Sequence, residues 1–453
     1  MGLDYNDLTL PSDGHLFEES KLEGPISDIV LDNLGPNGST YDDDEEDTFI
    51  TGEDPNNYIW YSGKLWRAVS VNNDAKTTKL ITQWSISSTA YDDSSSAFEG
   101  SHMQQWLNDT TEDGFLGNLR DYQNFIVTDY EWNATQTTST SKPPKTTMVE
   151  SAVGLLNNYE YETAKNSSFS SYLDISHWWW LLTPYNATEV YYVTEFGVAF
   201  NINVKDSWNA IRPAINLKSS VEIVSGDGTV SNPYRIAGDN DTNLSGIKLN
   251  TRYSGEYITF GTGENTLYRI VSHEVSGLTK ITSAELLKNS GSFVTSAFGS
   301  NENYSSTNTI GSFLNGEYLT DYVGSNYSDM IEDNTTWYLG RVPKGANYKL
   351  AKYTNETDNI LTSSTATAKV GLLRYGELMA GQFDINENNI SYWTLTPYTF
   401  GFVLNIEYIA VALNASVSKT APGIKPSMNL KSNVVITGGT GTKENPFTVE
   451  LGS

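Results

Sequence analysis

Three consecutive indoles, Trp178, Trp179 and Trp180, open the stretch WWWLLTPY that ends at Tyr185. Indole and phenol rings stack on sugars and anchor protein contacts, because each joins a broad apolar face to one polar atom. His177 precedes them, and an imidazole can bind a metal or move a proton near neutral pH. No second histidine stands at metal-ligand spacing, since His15, His102 and His273 are scattered, so His177 reads as an ordinary polar residue.

Carboxylates are the other candidates. The run from Tyr41 to Thr48, YDDDEEDT, concentrates six of them but lacks the glycine and closing glutamate of a defined calcium loop. It reads as a solvated acidic linker, with calcium a weaker alternative both there and at Asp239-Asn240-Asp241. With 55 acidic residues in the chain, spacing alone singles out no glycosidase pair. There is no G-x-S-x-G, P-loop or H-E-x-x-H. The expectation is a non-enzymatic protein without a cofactor. Asn-x-Ser/Thr triplets, as at Asn133, Asn186 and Asn414, carry no weight in a chain so rich in these residues.

Composition narrows the partners. A net charge of −27 repels phosphate backbones and anionic headgroups, so neither nucleic acid nor membrane insertion is expected. The absence of cysteine removes disulfides and thiolate chemistry. Together with abundant Ser, Thr, Asn and Tyr, it suggests an extracellular protein from a cell that does not rely on disulfides. MGLDYNDLTLPSDG lacks the basic and apolar regions of a signal peptide, so any export signal or wall anchor is expected outside this sequence.

The elements that must position these residues are written twice. IRPAINLKSSVEIVSGDGTVSNPY (211–234) and IKPSMNLKSNVVITGGTGTKENPF (424–447) share 13 identities in 24 ungapped positions. At the same offset WLLTPY (180–185) matches WTLTPY (393–398), and AVGLLNN, Trp106-Leu-Asn and LWRAV recur as KVGLLRY, Phe313-Leu-Asn and LYRIV. Such a repeat implies two copies of one unit. The boundaries drawn are an N-terminal acidic extension (1–50), module 1 (51–237), a polar linker (238–247) and module 2 (248–453).

Within the signature, Ile215, Leu217, Val221 and Ile223 alternate with Asn216, Lys218 and Glu222, as on a strand with one buried face. The glycines after each strand predict a return hairpin ending at Pro233-Tyr234 and Pro446-Phe447. Segments 101–126 and 307–331 predict one or two short helices per unit. The fold class expected is α+β and β-rich: two tandem homologous modules with small twisted antiparallel sheets, plus the N-terminal extension.

These landmarks resemble an uncharacterised domain family of secreted and surface proteins of Gram-positive bacteria. The matching pattern is Trp66-Arg67, then WLN, VGLL, W-x-L-T-P and RP-x-x-NLKS-x-V-x-I-x-x-G-x-GT-x-x-NP-Y. Copy two departs from it with Lys425 for Arg212 and Tyr268 for Trp66. The motif order also resembles the C-type-lectin and formylglycine-generating-enzyme architecture. The resemblance implies display at the cell surface and contact with partners, and no reaction. Such surface proteins often carry Lys–Asn isopeptide or Thr–Gln ester locks; Lys218 and Lys431 recur beside Asn216 and Asn429, but alternation turns them outward, so no lock is expected there.

The repeat sorts the indoles. Trp180 has a partner in Trp393 and is expected in the core, whereas Trp178 and Trp179 align with Ser391 and Tyr392. Trp178, Trp179 and Tyr185 are therefore the predicted contact residues, for a protein partner first and a glycan second. Residues 1–50 hold the apolar-periodic KLEGPISDIVLDNLG, which cannot bury itself alone. Ile26, Ile29, Val30 and Leu31 are its predicted docking residues, on its own module or on a neighbouring copy, the latter giving head-to-tail assembly. The function expected is an extracellular structural or adhesive surface protein, an assembly component and the repeating subunit of a filament, binding copies of itself or other surface proteins. The alternative is a carbohydrate-binding adhesin.

Overall fold

The computed structural model describes residues 22–166, 170–342, 364–380, 390–407 and 412–453. It is β-rich, with small antiparallel and mixed sheets and few, short helices.

Tyr58–Tyr61, Lys64–Asn72, Thr78–Thr82, Ala214–Leu217 and Val153–Gly154 lie side by side in that order, each antiparallel to the next. In the second half Tyr257–Thr259, Leu267–His273, Thr279–Ser283, Ser427–Leu430 and Val370–Gly371 pair in the same order and sense. Each row has a register shift at the same place, between Ala68 and Ser70 and between Ile270 and Ser272. The return hairpins also form, Glu222–Ser225 with Tyr234–Ile236 and Val434–Gly438 with Thr448–Leu451. Gly226 and Gly439, at φ +90° and +87°, make the turns possible: a Cβ on either would fall 2.2 or 2.1 Å from the carbonyl oxygen of Pro233 or Pro446.

A second sheet carries the indoles. Trp179–Asn186, Glu189–Val193 and Ala199–Asn203 form an antiparallel meander, extended by Ala210–Ile211 and Ser87–Ser88. Tyr392–Thr399, Phe402–Ile406 and Ala412–Ser416 repeat the meander in the second half.

The repeated motifs are joints of this scaffold. The asparagine of W/F-L-N ties a helix to the V-G strand: Asn108 accepts from the Val153 N–H at 2.9 Å and donates to the Val153 and Gln104 carbonyls. Asn315 does the same with Val370 and Gly311. The glycine of V-G lies under an indole, since a Cβ on Gly154 would sit 2.4 Å from Trp132 and one on Gly371 2.7 Å from Trp337. The threonine of L-T-P accepts the N–H of Asn158 through Thr183 and that of Tyr375 through Thr396.

Several sequence expectations change at this level. The chain from Gly24 to Gly52, placed mostly in a separate extension, is part of the first half. Gly24–Pro25 pairs with Glu222–Ser225, and Asp47–Gly52 pairs with Lys64–Asn72. Ile26 and Val30 are fully buried in the core of that half, with Ile29 and Leu31 partly buried against it. That leaves Ile26 and Val30 no surface for a neighbouring copy. Residues 1–21 of the extension lie outside the described residues.

The acidic run is the turn of a hairpin, Gly38–Asp42 with Asp47–Gly52, and not a solvated linker. Asp43 accepts the N–H groups of Glu45, Glu46 and Asp47, and its carboxylate meets Lys142 at 2.7 Å. Burial pushes the Asp43 carboxyl up, but these donors outweigh it and hold it well below the carboxylate range.

Segment 238–247 is a seam. Arg120 meets Asp239 at 3.1 Å and Asp241 at 2.6 Å, and Arg252 meets Asp241 at 2.8 Å. Guanidinium groups thus stand where calcium was considered. Across the same seam Trp60 packs on Tyr257 with Ala284, and the Arg269 guanidinium donates to the Gly63 carbonyl at 2.9 Å.

Candidate functional site

The three indoles part company in the fold. Trp180 is fully buried and donates to the Thr89 carbonyl, as Trp393 does to that of Ser296. Both are core, as the repeat implies.

Trp179 is fully buried too, which removes it from the contact surface predicted for it. Its ring meets Tyr161 edge-on, 5.6 Å between centroids, and the Arg212 guanidinium lies 4.6 Å from the indole. Arg212 donates to the carbonyls of Thr82, Leu173 and Gln83, and burial pushes its pKa down to about 9. In the second half Lys425 lies over Tyr392 at 4.8 Å and donates to the Ala284 carbonyl. Two of the mismatches between the copies, Trp179 for Tyr392 and Arg212 for Lys425, are therefore one exchange of an aromatic–cation pair. An unshared indole here reports packing, and only the partner's identity in space could have shown it.

Trp178 is half-buried. It meets Tyr192 edge-on at 5.9 Å, and its Nε1 donates to the Glu195 carboxylate. Glu195 sits in the turn that joins Glu189–Val193 to Ala199–Asn203, where the Thr194 N–H reaches the Val198 carbonyl and Gly197 has φ +70°. Tyr185 is partly buried, edge-on to Tyr191 at 5.5 Å. Burial pushes the His177 imidazole down to about 4, so it is neutral at physiological pH.

The turn beyond Trp178 was not singled out by sequence. Phe196 is 82% exposed, and Val198, Phe200 and Trp208 are exposed as well. Phe200 lies opposite Tyr192 in register, so the apolar face that is buried at Trp180 and Tyr192 runs on into solvent at Phe200. In the second half the corresponding meander exposes Phe400 and Phe402 at its other turn. Of ten exposed large hydrophobic residues among those described, five belong to these two meanders, so exposure is concentrated there. The signal available in sequence was Phe196, Val198 and Phe200 alternating across a Gly turn.

A second constellation lies beneath the first sheet. Lys79, Glu160, Tyr130 and Trp132 meet inside the first half: the Lys79 ammonium pairs with the Glu160 carboxylate and lies 5.1 Å from both aromatic rings. Glu160 also accepts the Asn157 N–H at 2.7 Å, closing a capping box on the helix Asn158–Thr163. Lys280 repeats this with Glu377 at 2.5 Å and Trp337 at 5.5 Å, and Glu377 accepts the Arg374 N–H. Asn216 and Asn429, expected to face outward, are buried against these lysines, because both faces of their strands are covered. Lys218 and Lys431 do reach the surface, where they donate to the carbonyls of Gln123 and Asp329.

Among the described residues no group of three or more His, Asp or Glu side chains is arranged to hold a metal ion, and no helix is long and apolar enough to cross a membrane. Residues 76–219 match the family model of a domain of unknown function, DUF6273. No curated protein and no solved structure matches the chain. The matched stretch runs from just before the strand of Lys79 to just past the strand of Asn216, and so takes in the indoles, the exposed turn and the first buried Lys–Glu pair: over that span the chain resembles DUF6273.

Proposed function

We propose that the chain is built from two copies of one module and serves as a non-catalytic structural or adhesive component of a cell surface, held in assemblies through the exposed turns of its two aromatic meanders. The observation that carries this reading is the apolar ridge of Phe196, Val198 and Phe200, continuous with the buried face at Tyr192. Water-exposed aromatic ridges of this kind are costly to leave bare and mark contact surfaces. The ridge replaces Ile26 and Val30 as the assembly contact, and the tandem repeat, the cysteine-free composition and the acidic surface support an extracellular setting. The C-type-lectin-like architecture belongs to the same reading, resting on motif order and on small sheets with short helices.

Light scattering over a range of concentrations tests it. The full chain is expected to form concentration-dependent oligomers that Phe196→Ser with Phe200→Ser abolishes. A full chain that stays monomeric at all concentrations, or oligomers untouched by the double substitution, would defeat it.

A second reading, glycan binding, is favoured by one observation: the half-exposed Trp178 indole carries a carboxylate acceptor, Glu195, at its edge, and the exposed Trp208 lies in the segment leading into the strand Ala210–Ile211 that pairs with Trp179. Quenching of tryptophan fluorescence by a glycan in the monomeric double variant would establish that reading instead.

A further inference from the structure

The buried lysines face more than their carboxylates. Lys79 and Asn216 are directly opposite on neighbouring antiparallel strands, and Lys280 stands opposite Asn429 in the same way. The Thr82 N–H bonds to the Pro213 carbonyl at 3.1 Å, and the Ser283 N–H to that of Pro426 at 2.9 Å. Because hydrogen-bonded and non-hydrogen-bonded pairs alternate along an antiparallel ladder, both Lys–Asn pairs fall at non-hydrogen-bonded positions, where side chains come closest, about 4.5–5.5 Å between Cβ atoms. The main-chain carbonyls of Asn216 and Asn429 accordingly turn the other way, to the N–H groups of Val127 and Glu332.

All six side chains are sealed from solvent: Lys79, Asn216 and Glu160 in one half, Lys280, Asn429 and Glu377 in the other. In each site one atom of the asparagine amide, the nitrogen of Asn216 and the oxygen of Asn429, is buried without a hydrogen-bond partner. An unsatisfied buried amide costs about 1–3 kcal/mol. A Lys–Glu pair has no need of it, yet it recurs in both halves.

We propose that Lys79 is joined to Asn216, and Lys280 to Asn429, by isopeptide bonds formed within the folded chain, with Glu160 and Glu377 carrying the proton. The Glu160 carboxylate takes a proton from the Lys79 ammonium, and the freed amine attacks Cγ of Asn216. The carboxylic acid then protonates the amide nitrogen of the tetrahedral adduct, the old C–N bond breaks and ammonia leaves, and the carboxylate so regenerated takes the surplus proton from the new amide nitrogen. One C–N bond forms and one breaks, nothing is oxidised or reduced, and no co-reactant is needed. The ring faces of Trp132 and Trp337 attract the ammonium forms of Lys79 and Lys280. Burial works against the Lys79 charge, but Glu160, Tyr130 and Asp47 outweigh it and hold the ammonium above its ordinary range. The amine therefore arises only by transfer inside the pair, which makes the reaction slow and confined to the folded state. A cavity of about 70 Å³ lined by Lys79, Glu160, Asp47 and Tyr130 lies beside the first pair. In a chain without cysteine, these bonds would supply the covalent locks that disulfides cannot.

The intact mass of the full chain, measured after unfolding, reads the proposal directly. Each bond removes about 17 Da, so a deficit of about 34 Da is expected. Tryptic mapping should show branched peptides joining Lys79 to Asn216 and Lys280 to Asn429, with no cleavage after either lysine. Asn216→Ala, which keeps the Lys79–Glu160 pair, should retain only the second deficit, and Glu160→Gln should do the same. A mass equal to that of the sequence overturns the proposal. So does a deficit of a single ammonia, since the sites are built alike, or a full deficit in which all four residues lie in linear peptides, since asparagine cyclisation also loses ammonia.

Discussion

The Arg212 guanidinium lies 4.6 Å from the Trp179 indole, and Lys425 occupies the same place over Tyr392 at 4.8 Å. Each pair buries a cation against an aromatic face and returns its hydrogen bonds to main-chain carbonyls. Trp179→Tyr and Arg212→Lys are each expected to destabilise the first half, and the double substitution to cost less than their sum. Chemical denaturation of the four proteins in a double-mutant cycle should give a coupling of about 0.5–3 kcal/mol. Additive losses would mean that the two residues are not a unit.

Gly154 is required by Trp132, not by a turn. Gly154→Ala would place a methyl 2.4 Å from the indole, so a loss of about 1–3 kcal/mol is expected, seen as a lower melting temperature. Gly371→Ala, under Trp337, should behave alike. Gly246→Ala, where no atom lies within 4 Å of the added carbon but φ is +82°, serves as a control for backbone strain alone.

Lys64 is enclosed at the seam. Burial and the neighbouring Arg269 push its pKa from the usual 10.5 down to about 7, while Asp239 and Glu256 pull the other way. The unfolded chain therefore holds this proton more tightly than the folded one. The site's contribution to stability is complete above the unfolded pKa and declines as pH falls from about 10.5 to about 7, below which it is constant. Measured against Lys64→Met, wild-type stability should rise by roughly 1.4 kcal/mol per pH unit between about pH 7.5 and 10. A difference that stays flat in urea melts across this range would show that Lys64 remains charged in the fold.

Ile26 and Val30 belong to the first core. Ile26→Ala or Val30→Ala should cost about 2–4 kcal/mol, and removal of residues 1–50 should lower the melting temperature further, since it deletes most of the strand Asp47–Gly52. Ile29→Ser, at a partly buried position, should cost less.

The exposed ridge predicts the opposite signature. Phe196→Ser and Phe200→Ser should change stability by no more than about 0.5 kcal/mol while removing self-association, as read by denaturation and light scattering in parallel.

Some of this was legible in the chain itself. The doubled signature, the return hairpins and the short helices follow from local rules: glycines that tolerate positive φ, period-2 alternation, and apolar residues three and four apart. Trp180 could be placed in the core because its counterpart is also tryptophan. Asn216 could not be placed, because alternation reports one buried face and its strand has two; the covering layer comes from Trp132 and Glu160, distant in sequence.

What the sequence alone determined is the repeated signature strand, its return hairpin and the short helices, since each depends on neighbours within a few residues. What only the tertiary structure decided is which odd residues are partners: Trp179 with Arg212, Lys79 with Glu160 and Asn216, Ile26 with the first core. Those contacts join segments far apart along the chain, and a buried pair is chosen by shape and charge in three dimensions, which no local spacing records.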